Sequence, residues 1–269
     1  MHVLPWIPEP TARVLLFGTT TITPTWAMRF NDPFWRLYVN DRAGAELAGP
    51  GWVHRLDPGT LHLVPAWCVV DARCRGAVGH AYVHVDCGDW GRGIFAKPVA
   101  VATRPGEAER FRALTALPAW GMSERLAMRA IAFDGLARAA AALGPARAKL
   151  EPLATQDHAV AQAQAIFSES LSAGQPRRAP TFAHIAARVG LSPGHLRLRF
   201  RAATGRTPAA WLRERKVVAA AERLLAGDEP IEAVAAACGF VDRYHFSRIF
   251  ARIVGCGPAT WRAARRGAG

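Results

Sequence analysis

Two clusters of arginine, about fifty residues apart, are the side chains best suited to chemistry in this chain of 269 residues. The first holds Arg197, Arg199 and Arg201, with Ser192, Gly194, His195 and Leu198 among them; the second holds Arg243, Tyr244, Ser247, Arg248 and Arg252. A guanidinium donates paired hydrogen bonds to guanine or phosphate, while hydroxyl and apolar side chains meet the remaining base edges. Such a set reads the grooves of double-stranded DNA when one helix face presents it. A merely solvated helix face is the bland alternative.

The elements that position these residues form an internal repeat. Ile185-Ala-Ala-Arg-Val-Gly190, then Leu196, Phe200, Gly205, Pro208 and Trp211, returns as Val234-Ala-Ala-Ala-Cys-Gly239, then Phe246, Phe250, Gly255, Pro258 and Trp261. In each copy a small-residue helix ends at a glycine, a short turn follows, and a second helix opens with apolar residues four apart. Leu196 with Phe200, and Phe246 with Phe250, are the expected buried stripes; the arginines lie off them. A connecting helix over 208–225 spans about 27 Å, which sets two recognition helices about one DNA turn apart. Arg206, Arg215 and Arg252 are further candidates for phosphate contacts. Ser192, Gly194 and His195 fall at the start of the first recognition helix, where backbone N–H groups favour phosphate.

Charge follows the same division. Residues 157–269 hold 17 Arg or Lys against 8 Asp or Glu, and residues 1–156 hold 17 against 13, so +9 and +4 make up the net +13. Only Lys97, Lys149 and Lys216 are lysine. Arginine suits bidentate contacts, though a GC-rich genome enriches it too. About half the residues are apolar, enough for a packed core. With no long uncharged apolar run and no signal-like start, a cytoplasmic protein without membrane contact is expected.

The first half changes period. Strands are expected over 34–40, 51–56, 61–64 and 80–86, punctuated by Asp32-Pro33, Gly49-Pro-Gly51 and Asp57-Pro-Gly59, which indicates a β-sandwich or barrel. On the last strand His80, Tyr82 and His84 share a face opposite Ala81, Val83 and Val85. Helices follow from Glu107 to about Leu117 and over 123–143. Met122, Leu126, Phe133, Leu136, Ala140 and Leu143 make an apolar stripe, interrupted by Arg129, that serves either as a homodimer seam or as packing on the protein's own sandwich. The expected organisation is α+β with two domains: 1–145, a linker over 146–156, and an all-helical 157–269.

At the repeat the chain resembles the AraC/XylS family of bacterial transcription regulators. Leu191-Ser-Pro-Gly-His-Leu196, Gly205-x-x-Pro208, Leu224-Leu225, Pro230-Ile231 and Gly239-Phe240-x-Asp242-x-x-x-Phe246-x-Arg248-x-Phe250 carry the likeness. It implies a C-terminal domain with two helix-turn-helix units and a cupin-like N-terminal barrel or sandwich that binds an effector and carries dimerisation helices. Double-stranded DNA, a homodimer partner and RNA polymerase are the implied macromolecular partners. Where members usually carry Arg this sequence has Leu198, with Arg199 next door, and Trp211 and Trp261 stand where Tyr is usual.

For the N-terminal half, an effector-binding role falls to Arg36, Tyr38, Asn40, His62, Trp67, His80, Tyr82 and His84, polar groups among flat aromatic surfaces that suit a sugar or an aromatic molecule. Core packing is the alternative for the aromatics, Trp6, Phe17, Trp26, Trp35, Trp52 and Trp90 included. His54, His62, His80 and His84 raise a metal-dependent enzyme as a competing class. Against it, His80 and His84 on one strand stand about 13 Å apart. Neither a metal, a cofactor nor a catalytic residue is therefore expected. Cys68, Cys74, Cys87, Cys238 and Cys256 form no zinc spacing; a thiol sensor at the first three is the third alternative, with buried structural thiols as its rival.

Overall fold

The computed structural model describes residues 12–144 apart from 89, 91 and 93, and residues 157–172 and 181–266. The expected linker over 146–156 and Trp6 lie outside the described residues. Two compact units emerge, one within residues 10–147 joined by the chain from Thr260 on, the other within 148–259.

The N-terminal unit is a sandwich of two antiparallel sheets. Its strands are β1 (Arg13–Ile22), β2 (Met28–Phe30), β3 (Trp35–Asn40), β4 (Ala45–Gly49), β5 (Trp52–Arg55), β6 (Thr60–Val64), β7 (Val70–Cys74), β8 (Val78–Asp86) and β9 (Val99–Ala102). One sheet runs β1-β8-β3-β6-β9 and the other β2-β7-β4-β5. The four strands read from sequence are β3, β5, β6 and β8.

Alternation divides the larger sheet into two chemically distinct faces. Trp35, Leu37 and Val39, with Leu61, Leu63, Ala81, Val83 and Val85, pack under helices α1 (Glu107–Thr115) and α2 (Met122–Ala141) through Phe111, Met128, Ile131, Ala132, Leu136 and Ala139. Gly135 lets α2 sit close on β6, because a Cβ there would stand 2.7 Å from Leu61 Cδ2. The opposite face meets the second sheet, where Tyr38, Val64 and Val78 pack with Phe30, Leu47, Val70, Ala72 and Cys74.

The C-terminal unit is helical: α3 (His158–Ser172), α4 (Phe182–Arg188), α5 (Pro193–Thr204), α6 (Pro208–Ala226), α7 (Ile231–Ala237), α8 (Arg243–Val254) and the start of α9 (Pro258–Arg266). Val160, Ala163 and Phe167 of α3, Ile185 and Ala186 of α4, Leu196 and Phe200 of α5 and Trp211 of α6 form the core of the first helix-turn-helix. In the second, Val234, Ala235, Phe246, Ile249, Phe250 and Val254 are buried.

The two turns are copies in detail. Gly190 and Gly239 have φ of 71° and 72°, the left-handed region that glycine enters without strain. Leu191 N donates to Ala186 O at 2.9 Å and Phe240 N to Ala235 O at 3.0 Å, closing both turns alike. Each second helix is then capped from the side chain before it. His195 N donates to Ser192 Oγ at 3.2 Å, and His245 N to Asp242 Oδ1 at 2.7 Å.

Candidate nucleic-acid interface and effector-binding face

On α5 the buried stripe of Leu196 and Phe200 turns the other residues outward. Ser192, Gly194, His195, Arg197, Leu198 and Arg201 are all exposed. Leu198 follows Leu196 by two residues, about 200° around the helix, and is 73% exposed. Arg199 lies nearer the packed side. Its Nε forms an ion pair with the Asp157 carboxylate, which also accepts Ala159 N at 3.0 Å and so caps α3. Its guanidinium is thereby held against α3. The guanidinium of Arg197 lies 5.8 Å from the Phe182 ring centre.

On α8 the buried stripe is Phe246, Ile249, Phe250 and Val254. Arg248 stands opposite it, with Arg243, Tyr244 and Arg252 also exposed and Ser247 half-buried. Tyr244 at 85% and the neighbouring Val241 at 86% leave two apolar bodies in water at the head of the helix. Lys216 of α6 donates from Nζ to Gly239 O at 2.6 Å and lies 5.6 Å from the Phe240 ring centre, so it fixes the second turn. Arg206 pairs with Glu214, which spends its guanidinium inside the chain. Asp157, Lys216 and Val241 escaped the sequence reading: the first two act through partners far away in sequence, and Val241 lies in a turn without a period to mark it.

In the N-terminal unit seven of the eight expected effector-binding residues share one sheet face. Cross-strand register sets Arg36 beside His84, Tyr38 beside Tyr82 and His62, and Asn40 beside His80. Trp67 lies apart, in the loop after β6, with a left-handed φ of 65° and its amide donating to Asp32 O at 2.8 Å.

Hydrogen bonds orient the imidazoles. Asn40 Nδ2 donates to Leu56 O at 3.2 Å, so its Oδ1 accepts, and His80 must donate from Nδ1 at 2.8 Å. His62 donates from Nε2 to Asp57 O at 2.9 Å, which leaves Nδ1 to accept from His54 Nε2 at 3.0 Å. Burial favours the neutral form of each imidazole. Burial, then His62, brings His54 down to about 4, and burial, then Arg36, brings His80 down to about 3. Burial, then Arg36, also holds His84 well below the usual range.

Arg36, 5% exposed, pairs with Asp32 and donates from one terminal nitrogen to Tyr38 Oη at 2.9 Å. Arg36 Nε and His84 Nδ1 are buried without a hydrogen-bond partner among the described residues. His84 stacks on Phe34 with ring centres 4.9 Å apart.

Two competing chemistries find little here. Both nitrogens of His62 are used within the chain, and among the described residues no three of His, Cys, Asp and Glu gather as metal ligands. Cys68, Cys74 and Cys87 are buried; burial pushes the Cys68 thiol up to about 11 and that of Cys87 higher still. A thiol so far from thiolate reacts slowly with oxidants.

Comparison with known proteins follows the same division. Residues 185–264 match the helix-turn-helix domain family that spans both copies of the repeat. The MmsAB operon regulatory protein of Pseudomonas aeruginosa is 36% identical over 86 residues, 32% of this chain and 28% of that protein. The HTH-type transcriptional activator RhaR of Klebsiella pneumoniae is 32% identical over 117 residues, 43% of this chain and 42% of that protein. Over this C-terminal region the chain is similar to bacterial transcription regulators. It spans between about a quarter and two fifths of the length of these curated relatives.

The whole fold, sandwich included, has a counterpart of known structure. ToxT from Vibrio cholerae aligns with a TM-score of 0.58 at 10% identity over 92% of this chain and 97% of that one. ToxT bound to an unsaturated fatty acid aligns at 0.57 with 9% identity over 95% and 97%. At such identities the likeness is one of fold. It makes the N-terminal unit a ToxT-like sandwich with helices. No described helix is long and apolar enough to cross a membrane.

Proposed function

We propose that the protein is a cytoplasmic, sequence-specific transcription regulator that grips two successive major grooves of double-stranded DNA with α5 and α8. The carrying observation is that two outward basic faces recur in one frame on either side of α6, whose 19 residues span about 28 Å. Arg243, Tyr244, Arg248, Leu198 and Arg201 are the base readers; Ser192, Gly194, His195, Arg197, Ser247 and Arg252 hold phosphates or set the approach. Arg199 serves from its bond to Asp157. Selection of DNA fragments by the purified protein across a salt series tests this: two conserved blocks about one turn apart support it, and salt-sensitive binding without a motif refutes it.

The N-terminal sandwich binds the effector along the Arg36 to His80 face. Asn40, His54, His62 and His80 already satisfy one another, which leaves a sugar few partners. Arg36 Nε and His84 Nδ1 remain, beside Phe34, Tyr38 and Tyr82. That combination favours one anionic end on an apolar or aromatic body. A thermal-shift comparison of medium-chain and aromatic carboxylates with neutral sugars distinguishes the two. Effector binding biases the N-terminal unit between states that alter DNA engagement by a homodimer, which in turn recruits RNA polymerase.

A further inference from the structure

The two helix-turn-helix units share a frame but differ at the centre of the outward face. Counting about 100° per residue, Leu198 lies opposite the Leu196 and Phe200 stripe as Arg248 lies opposite Phe246 and Phe250. Leu198 is 73% exposed, while the other large apolar residues of α5 are fully buried. Gly194 and Ala202, one turn to either side of it, are small and exposed, so nothing overtops the leucine. Arg197 and Arg201 flank it. Arg199, the guanidinium next in sequence, is drawn aside by Asp157.

We propose that the first unit reads a thymine methyl group through Leu198 at the place where the second unit reads guanine through Arg248. The inference rests on α5 and α8 being recognition helices. The C5-methyl of thymine is the apolar feature of the major groove, and the branched end of leucine can bury it and release water from both. Leucine has neither donor nor acceptor, so a cytosine amino group or guanine carbonyl beneath it would lose water without replacement. Arginine at Arg248 reverses that preference, because its fork satisfies guanine O6 and N7 together. One half of the operator is therefore methyl-dependent and the other donor-dependent.

The test uses the full chain and the duplex recovered by selection, with each thymine replaced in turn by deoxyuridine, which keeps base pairing and removes only the methyl. At one or two positions under α5 the affinity falls about fourfold, the factor for one buried methyl group. Leu198→Ala binds the thymine and uracil duplexes equally. Leu198→Arg moves the preference at that base pair from thymine to guanine. A 7-deazaguanine scan of the α8 block, unchanged in both variants, shows that the fold is intact. Equal binding of every uracil duplex by the natural protein overturns the proposal, as does methyl dependence that survives Leu198→Ala. Recovery of no recurrent motif instead removes the recognition-helix reading on which it stands.

Discussion

Lys216 Nζ reaches the carbonyl oxygen of Gly239 at 2.6 Å, tying the middle of α6 to the turn that launches α8. Half-buried beside the Phe240 ring, the ammonium satisfies a carbonyl at the end of α7 and fixes where the second recognition helix starts. Lys216→Met keeps the stem and removes the donor. The expected cost is about 1.5–3 kcal/mol in unfolding free energy, the range for a charge-assisted hydrogen bond. DNA binding should lose sensitivity to base changes in the α8 block while keeping it in the α5 block. Equal loss across both blocks would show that Lys216 serves general stability alone.

Asp157 couples α3 to the first recognition helix in a comparable way, capping one and holding Arg199 of the other. Asp157→Ala removes a cap, worth about 0.5–2 kcal/mol, and frees a guanidinium. The variant should melt lower yet bind random duplex more tightly at low salt, because Arg199 becomes available to phosphate. A steeper slope of log affinity against log salt is the measurement, by about one unit for one added contact. An unchanged slope would leave Arg199 at the DNA already.

How much of this was legible in the sequence depends on range. The repeat was readable because caps, turn glycines and four-residue stripes are local. The polar face of β3, β6 and β8 was readable because alternation has a fixed period: seven of eight candidates share that face, and Trp67, in a loop without a period, does not. Long-range pairing was invisible: Asp157 and Arg199 stand 42 residues apart. Strands β4 and β9, Ala-Glu-Leu-Ala-Gly and Val-Ala-Val-Ala, are too alanine-rich to announce themselves and exist because β5, β6 and β7 pair with them. The expected helical stripe divides between two sides of the chain, and Leu143 packs against the sandwich core. Leu136 lies in the sandwich core, whereas Met122, Leu126, Ala130, Phe133, Ala137 and Ala141 are exposed on one side of α2.

The buried imidazoles make the N-terminal unit acid-sensitive. An unfolded histidine takes up a proton as pH falls through about 6.5, whereas folded His80 stays neutral down to about 3. Unfolding therefore binds protons below pH 6.5, and stability present at neutral pH is lost on acidification. For His80 the loss between pH 7 and pH 5 is about 2 kcal/mol. Thermal unfolding at the two pH values measures it, and His80→Asn, which preserves a donor toward Asn40 Oδ1, should flatten the dependence. A melting temperature that is constant from pH 7 to pH 5 contradicts neutral burial.

The two sides of α2 predict opposite phenotypes for similar residues. Leu136 is buried against the sheet, so Leu136→Ala should cost about 2–5 kcal/mol and lower the melting temperature without a specific effect on assembly. Leu126 and Phe133 are 55% and 38% exposed on a stripe spaced four, four, three, four and four residues, which keeps it on one side of the helix. Leu126→Glu with Phe133→Glu should leave the fold intact, because both charges remain solvated in the monomer. In a dimer joined through this stripe they would bury unpaired carboxylates against each other. Sedimentation velocity should therefore convert a dimer to a monomer with an unchanged circular dichroism spectrum, and binding to a paired operator should weaken more than binding to a single site. A double variant that still sediments as a dimer moves the interface away from α2.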